Sequence, residues 1–346
     1  LLTRARSYLH ENCASCHRKN GGGAVPSYLD IELSLKDSRI IDQSPIQGGL
    51  GLPEPKIIAP GDPARSVLIY RMAATGSGHM PYLGSRLVHD EGLRLVSAWI
   101  ESMRPDPEKI PLPVQHQRQR EQTLLKDATN GNSNGLDELL ASSSGALSVA
   151  LAINRQSLPN DVRSAAIQKG SALPDPFKRD LFERFIAHDK RRQTLGASFT
   201  PETVLAKEGV PSRGLPVFNA LCSACHQVNE IGINYGPDLK EAARKYAANE
   251  LLEHIRKPSK YLDPKWFLTT IQTGSPAPVI GFVVDRSTTK LSLRQPGGLL
   301  TQIDTQSIKN ISQDTRTSAM PEGLLQGSTA QEAADLLAWL ISLRKP

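Results

Sequence analysis

The most constraining feature of this chain is a five-residue segment that occurs twice. The sequence reads C-A-S-C-H at residues 13–17 and C-S-A-C-H at residues 222–226. These segments contain all four cysteines of the 346-residue chain. C-x-x-C-H is the attachment signature of c-type haem, in which two thiols become thioethers and the adjacent histidine binds the iron. The pattern therefore predicts two haem sites, formed by Cys13, Cys16 and His17 and by Cys222, Cys225 and His226.

Three other interpretations of paired cysteines compete with haem attachment. A local zinc site usually has its second cysteine pair within about 15–20 residues of the first, and the larger separation here leaves only a long-range zinc site. A thioredoxin-like pair belongs in a βαβ context, and neither motif follows a predicted strand. A disulfide framework suits small secreted chains better than one of this length. The histidine after the second cysteine of both segments favours haem.

A second repeat supplies a candidate for the remaining iron ligand. The chain has four methionines, and two of them precede a proline, at Met80-Pro81 and Met320-Pro321. Each pair is followed at the same distance by the pattern A-W-[IL]-x-S-[LM]-R, at residues 98–104 and 338–344. Such self-similarity indicates a repeated domain. Because a thioether binds haem iron and raises its reduction potential, we predict Met80 and Met320 as the distal ligands.

Residues near these methionines have other predicted roles. His79 is adjacent to Met80 and is a competing ligand. Met72 and Met103 are interpreted as packing residues, because methionine often fills gaps in a core. The tryptophans of the repeated pattern, Trp99 and Trp339, are predicted to pack beside the haems, and a place in the core is compatible with that role.

The order of these features resembles that of class I cytochrome c domains. In that family a first helix leads into C-x-x-C-H, a Met-Pro follows late, and an amphipathic helix ends the domain. Gly214 and Phe218 precede the second motif at helical spacing and resemble the pair by which the family's first helix crosses its last. Ala5 and Leu9 have the same offsets from the first motif.

A further resemblance concerns the orientation of the ligand histidine. Residues 236–239 read G-P-D-L and resemble the family's G-P-x-L segment, whose proline carbonyl accepts a hydrogen bond from that histidine. The resemblance implies this role for Pro237, and such a contact fixes the ring. The first half of the chain has only Val25-Pro26 in the comparable region.

Each half also resembles a more specific group. Residues 1–104 look like haem domains appended to bacterial sugar dehydrogenases of the soluble quinoprotein type, through R-A-R-S-Y-L at 4–9, A-P-G-D-P-A-R-S at 59–66 and H-M-P. Residues 176–346 look like a C-terminal haem-binding domain of large multidomain bacterial proteins, through R-G, C-x-x-C-H and S-A-M-P-E-G-L at 318–324. The resemblance implies electron transfer and an origin in a larger polypeptide.

Length and composition limit the remaining possibilities. The length suits two or three domains, and no stretch reaches the roughly 20 apolar residues that span a membrane. The chain starts at Leu1, so we expect a processed form or an excised piece. Haem attachment in c-type cytochromes occurs outside the cytoplasm, which predicts a bacterial periplasmic or other extracytoplasmic location. A net charge of +6 is compatible with steering of an acidic redox partner. The basic residues are scattered, however, which favours an ordinary solvated surface and does not indicate nucleic acid binding.

The predicted fold class is mainly α. It consists of two cytochrome c-like helical haem domains, residues 1–104 and 209–346, joined by a proline-rich linker and helical connector at residues 105–208. The second domain carries a small antiparallel β insertion at about residues 266–304, where strand-like runs and a Pro-Gly-Gly turn occur. The insertion is interpreted as a cover for the haem edge, with a docking surface as the alternative.

The sequence favours an electron carrier over a catalyst. Its expected partners are redox proteins, either a quinoprotein dehydrogenase or a terminal acceptor. The rival function is that of a dihaem cytochrome c peroxidase, which needs an iron with an open sixth position; the two Met-Pro repeats argue against it. A third possibility is the electron-accepting module of a quinoprotein dehydrogenase whose catalytic domain is elsewhere.

Overall fold

The computed structural model describes residues 1–18, 27–45, 49–81, 87–196, 198–274 and 278–344. Contacts among them divide the chain into two units. The first unit contains Leu1–Pro45 and Gly49–Arg192, and the second begins at Gln193. No helix in the described ranges combines the length and hydropathy needed to cross a bilayer.

The described part of the first unit is helical. Its α-helices are α1 (Leu2–Cys13), α2 (Val67–Ala73), α3 (Asp90–Glu101), α4 (Leu112–Thr129), α5 (Leu136–Ala141), α6 (Ser143–Asn154), α7 (Asn160–Ser171) and α8 (Pro176–Arg179).

The second unit contains both helices and strands. Its α-helices are α9 (Pro201–Leu205), α10 (Pro211–Leu221), α11 (Leu239–Lys245), α12 (Ala248–Arg256) and α13 (Ala330–Ser342). Its strands are β1 (Gln227–Val228), β2 (Ile231–Gly232), β3 (Leu268–Gln272), β4 (Val279–Arg286), β5 (Lys290–Arg294), β6 (Leu300–Asp304) and β7 (Asn310–Asp314).

Helix α6 is the centre of the first unit. Every one of its residues is buried, because its sequence is apolar or small all round and lets neighbours approach from every side. Leu147 of α6 belongs to the same hydrophobic cluster as Leu9 of α1 and Trp99 of α3. The segment after residue 104 is therefore part of one core with the segment that carries the first C-x-x-C-H motif.

A buried ionic network also joins these two segments. The guanidinium of Arg118, on α4, donates two hydrogen bonds to Asp62, at 2.9 and 3.0 Å. Arg118 also pairs with Glu121, which accepts a further bond from Ser144 at 2.8 Å. Buried charges are tolerated when each is paired and hydrogen-bonded, so this network fixes α4 against the 59–66 segment.

The predicted fold class is wrong. Helices account for 47% of the structure and strands for 11%, with a five-stranded antiparallel sheet in the second unit, so two all-helical haem domains are not what the chain forms. Up to Arg192, the residues of the predicted linker and connector lie in the first unit, where every residue of α6 is buried. Helix α4 begins at Leu112, within the proline-rich segment.

The sheet of the second unit has the strand order β6-β5-β4-β3-β7 and is antiparallel throughout. Strands β3 to β6 lie where alternation in the sequence predicted them. Strand β7 was missed because all five of its residues are exposed, which leaves no apolar alternation to detect. Ile271, Leu291, Leu293 and Ile303 form a small core on one face of the sheet.

Helices α10 and α13 cross at Gly214, as the resemblance implied. A Cβ atom at residue 214 would lie 2.5 Å from Cβ of Trp339 and closer still to the carbonyl oxygen of Asp335. Next to this contact, the rings of Phe218 and Trp339 have centroids 4.5 Å apart. Only glycine allows the two backbones to approach this closely.

An ion pair fixes the start of α10 at this crossing. The buried carboxylate of Asp335 accepts hydrogen bonds from the Arg213 guanidinium at 2.8 and 3.0 Å and from the Val210 N–H at 2.7 Å. Gln331 donates a further bond at 2.9 Å. Burial by itself would raise the pKa of Asp335, but these hydrogen bonds outweigh burial and lower it.

The repeated tryptophan pattern has the same local structure in both units. The hydroxyl of Ser102 donates to the carbonyl of Trp99 at 2.7 Å, and the hydroxyl of Ser342 donates to the carbonyl of Trp339 at 2.6 Å. Each serine hydroxyl gives the tryptophan carbonyl a hydrogen bond near the end of its helix, where carbonyls lack their full set of intrahelical partners. The serine of the pattern therefore makes the same contact near the ends of α3 and α13.

We expect Gly214→Ala to destabilise the second unit by about 1–3 kcal/mol, because the added methyl group overpacks the helix crossing. Alanine is the better helix former by roughly 1 kcal/mol, so a loss of stability would identify the crossing as its cause. Gly274→Ala is the matched control, since a Cβ there meets no atom within 4 Å. Denaturant unfolding of both variants measures the effect, and a stabilised Gly214→Ala protein would contradict the described packing.

Stability of the second unit is expected to fall as the pH drops below about 4, where aspartate normally titrates. The folded-state pKa of Asp335 is lowered, so its contribution is present above the unfolded-state pKa and is lost as the pH falls through the folded-state value. Asp335→Asn should remove this pH dependence and cost about 1–3 kcal/mol at neutral pH. Thermal unfolding across pH tests this, with the exposed Asp285→Asn as control; equal pH profiles for the two variants would refute the role of Asp335.

Candidate haem sites

The two C-x-x-C-H segments fold as the same turn. In the first, the N–H groups of Cys16 and His17 donate to the carbonyl of Cys13 at 3.2 and 2.9 Å. In the second, the N–H groups of Cys225 and His226 donate to the carbonyl of Cys222 at 3.0 and 2.9 Å. Each turn directly follows a helix, α1 or α10. Both segments therefore hold two sulfurs and an imidazole on one compact backbone turn.

The first thiol of each motif is not of the reactive type. Burial raises the pKa of Cys13 to about 11 and that of Cys222 to about 12, and the second cysteine of each motif adds to the effect. Thioredoxin-like cysteines instead have a lowered pKa, because the thiolate is the nucleophile. None of the four cysteines forms a disulfide bond. Within the described ranges, no group of three or more His, Cys, Asp or Glu side chains is arranged to hold a metal ion.

His226 is fixed in the tautomer that a metal ligand requires. Its Nδ1 lies 2.8 Å from the carbonyl oxygen of Pro237, the contact that the resemblance implied. A carbonyl only accepts, so Nδ1 carries the proton and Nε2 keeps its lone pair for a metal. Burial lowers the pKa of His226, partly offset by the bond to Pro237, and this favours the neutral ring. The donor set of the second motif thus fits a haem.

Gly236 leaves the space that the His226 ring occupies. A Cβ atom at residue 236 would lie 2.8 Å from Cε1 and 3.0 Å from Nδ1 of His226. These distances are below van der Waals contact, so any other residue would push the ring from its present orientation. The glycine of the G-P-D-L segment is therefore as necessary to the ring position as the proline carbonyl.

His17 is oriented less tightly in the first unit. Its Nδ1 lies 3.3 Å from the carbonyl oxygen of Ser27 and 3.4 Å from the hydroxyl of the same residue. Burial lowers the pKa of His17, the Ser27 contact opposes this, and the charge of Arg71 lowers it further. The expected counterpart of Pro237, Val25-Pro26, lies outside the described residues. The donor set again suits a haem, with Ser27 orienting the ring.

Arg71 connects Met80 to the first motif. The N–H of Met80 donates to the carbonyl of Arg71 at 3.0 Å, and the side chain of Arg71 is close enough to His17 to affect its pKa. Met80 is half-buried. The neighbouring His79 is buried, with Nδ1 2.9 Å from the carbonyl of Ala74, so its Nδ1 also carries the proton. The structure keeps both side chains as candidates for the distal position.

Met320 lies on a loop that is fixed at another point. Its N–H donates to the hydroxyl of Ser318 at 3.1 Å, and the N–H of Ser318 donates to the hydroxyl of Ser259 at 3.1 Å. Leu325, further along this loop, is buried in the core of the second unit. Met320 itself is half-buried. These hydrogen bonds connect the loop to Ser259 and do not extend to the 222–226 turn, so the distal role of Met320 remains a prediction.

The two tryptophans are core residues of their units. Trp99 is buried in the hydrophobic cluster of the first unit. Trp339 is half-buried and packs on Phe218 at the α10–α13 crossing. Both positions agree with the packing role in the core, and contact with a haem stays a prediction.

Tyr235 is a residue of the second site that the sequence did not reveal. Its N–H donates to the carbonyl of Cys225 at 3.0 Å, and its side chain is buried. Burial raises the pKa of Tyr235, and the charge of Cys225 adds to the shift. The available signal was its position directly before Gly236-Pro237.

Comparison with known proteins agrees with the second site. A family model described as cytochrome c matches residues 212–291, which include the second C-x-x-C-H motif, Pro237 and strands β1 to β4. No curated protein matches the chain. Residues 212–291 therefore contain a cytochrome c domain, which supports a c-type cytochrome with covalently bound haem and a part in electron transfer.

Proposed function

We propose that the protein is a dihaem c-type cytochrome that carries electrons between redox partners. The observation that carries this proposal is the equivalence of the two motifs. Each forms the same pair of hydrogen bonds within its turn, and each places histidine Nδ1 beside a backbone carbonyl. The cytochrome c match covers only the second motif, so the first haem rests on this equivalence.

The residues have distinct roles under this proposal. Haem supplies an iron centre that gains and loses one electron, and the chain holds and orients it. His17 and His226 bind the iron through Nε2 because Ser27 and Pro237 hold the proton on Nδ1. Met80 and Met320 supply the sixth ligand, which favours the ferrous state. The covalent links come from Cys13, Cys16, Cys222 and Cys225.

The proposed ligands fill all coordination positions of both irons, which favours an electron carrier over a catalyst. With methionine in the sixth position at both sites, a substrate has no position at which to bind iron. The resemblance of residues 1–104 to haem domains of sugar dehydrogenases supports a dehydrogenase as the electron donor and a further redox protein as the acceptor. Covalent haem attachment supports an extracytoplasmic location in a bacterium.

Intact mass should exceed that of the polypeptide by two haem groups, because each motif supplies both thiols. Replacing Cys13 and Cys16 by alanine should remove one haem, and replacing Cys222 and Cys225 should remove the other. Mass spectrometry of the three proteins measures this. A single haem lost only with Cys222 and Cys225 would limit the proposal to the second unit.

Met320→Leu should lower the reduction potential of one haem and leave both haems attached, since the thioether links form without the distal ligand. Met80→Leu should do the same for the other haem, and His79→Ala should have little effect if Met80 is the ligand. Met103→Leu is the control, as a methionine assigned to packing. Redox titration followed by absorbance distinguishes these outcomes, and unchanged potentials in Met320→Leu would exclude Met320 as a ligand.

Peroxidase turnover is expected to be very low, both in the fully oxidised protein and after reduction of one haem. If Met80 and Met320 hold the sixth positions, peroxide cannot reach iron without breaking an iron–sulfur bond. Peroxide consumption by the half-reduced protein is the measurement, with the apoprotein as blank. Rapid turnover in that state would favour a dihaem peroxidase over a carrier.

A further inference from the structure

Three aromatic rings form a continuous contact between the second motif and the protein surface. The N–H of Tyr235 donates to the carbonyl of Cys225 at 3.0 Å, and the Tyr235 ring centroid is 4.7 Å from that of Phe282 on β4. The Phe282 ring meets Trp266 edge-on, with centroids 5.2 Å apart. Tyr235 and Phe282 are buried, whereas Trp266 is half-exposed. The series therefore begins at a haem-attachment cysteine and ends at solvent.

The inserted sheet is what holds these rings together. Arg294 on β5 donates to the side chain of Asn234 at 2.8 Å, directly before Tyr235. Phe282 pairs in register with the same Arg294. A Cβ at Gly281 would lie closer to the Arg294 carbonyl than packing allows. The sheet is thus fixed against the segment that follows the second motif, with Phe282 between the motif and Trp266.

In the second unit, lysine side chains lie over three aromatic rings, one of which is Trp266. Lys265 lies over the Trp266 ring at 5.8 Å, Lys260 over Tyr261 at 4.8 Å and Lys245 over Tyr246 at 5.0 Å. We call this the lysine–aromatic surface, formed by Lys245, Tyr246, Lys260, Tyr261, Lys265 and Trp266. Its three lysines and Tyr261 are exposed.

His254 and two acidic residues contact members of this surface. The His254 ring lies 4.4 Å from Tyr246 and 5.5 Å from Tyr261. Glu253 pairs with Lys260 at 3.4 Å, and Asp263 accepts a hydrogen bond from the Lys265 N–H at 3.0 Å. Lys257 and Arg256 also pair with Glu253, so the basic groups outnumber the acidic ones.

We propose that the lysine–aromatic surface is the docking site of an acidic redox protein, and that Tyr235, Phe282 and Trp266 carry the electron between that partner and the second haem. The inference rests on the proposed haem at Cys222 and Cys225. One electron leaves ferrous iron, which becomes ferric, and the metal or flavin centre of the partner is reduced by one electron. No proton and no bond is exchanged.

Two physical arguments support this assignment. Electron tunnelling weakens steeply with distance and is carried further by closely packed atoms than across gaps, and the three rings are packed in contact. Exposed lysines accelerate encounters with acidic partners, while exposed aromatic side chains supply the apolar centre of an interface. Within the described residues, the packed rings and the exposed lysine–aromatic pairs meet at Trp266.

The docking part is tested with an oxidised acidic blue-copper protein as the probe and the fully reduced dihaem protein. Lys265→Glu should lower the second-order rate of electron transfer about tenfold at low ionic strength, and high salt should remove the difference. Lys207→Glu is the matched control, an exposed lysine of the same unit outside the surface. Equal rates for the two variants would overturn the docking site.

The route through the rings is tested at saturating probe, where the rate no longer depends on encounter. Trp266→Leu should lower this first-order rate several-fold, and Trp266→Phe, which keeps a ring against Phe282, should restore it. An unchanged rate in Trp266→Leu would overturn the route. Haem content by mass and the reduction potentials are measured for every variant. Absence of haem at Cys222 and Cys225 would refute the proposed function itself, whereas intact haem with unaltered rates would refute only the docking site and the route.

Discussion

A histidine binds a metal through one ring nitrogen only when the other carries the proton, and the second site depends on that condition. The carbonyl of Pro237 holds the proton on Nδ1 of His226 at 2.8 Å. This contact needs Gly236, because any side chain there would strike the ring. The N–H groups of Tyr235 and Gly236 both donate to the carbonyl of Cys225. The turn that presents the thiols therefore also holds the segment that orients the imidazole.

In the first unit, the predicted site is supported by helices that follow residue 104. The N–H of Thr75 donates to the carbonyl of Asp180 at 2.9 Å, and the Tyr70 hydroxyl donates to the carbonyl of Phe177 at 2.8 Å. These bonds hold α2 against α8 and the residue that follows α8. The carbonyl of Arg71, in α2, accepts a hydrogen bond from the N–H of Met80. The sequence predicted these helices only as a connector. They support the loop that carries Met80, a predicted iron ligand.

The sequence was informative where chemistry demands particular residues at fixed spacing. The C-x-x-C-H turns could be anticipated from residue spacing, and the resemblance to class I cytochrome c domains implied the Gly214 crossing and the contact from His226 to Pro237. The role of α6 could not be anticipated. An apolar helix of small residues has the same sequence pattern whether it belongs to a separate bundle or fills the centre of a larger unit. The Tyr235–Phe282–Trp266 contact joins residues far apart in sequence, so local periodicity contains no sign of it.

The two sites have the same proposed donor atoms, so a difference between them has to come from their surroundings. Hydrogen bonding to the proximal histidine and burial are the means by which a protein adjusts a metal centre. Nδ1 of His226 is 2.8 Å from its carbonyl partner, whereas Nδ1 of His17 is 3.3 Å from its own, with a hydroxyl nearby and the charge of Arg71 acting on the ring. The shorter bond makes an imidazole the stronger electron donor, which favours ferric iron. For the two proposed haems, the same motif placed in two different surroundings therefore predicts two unlike electron-transfer sites.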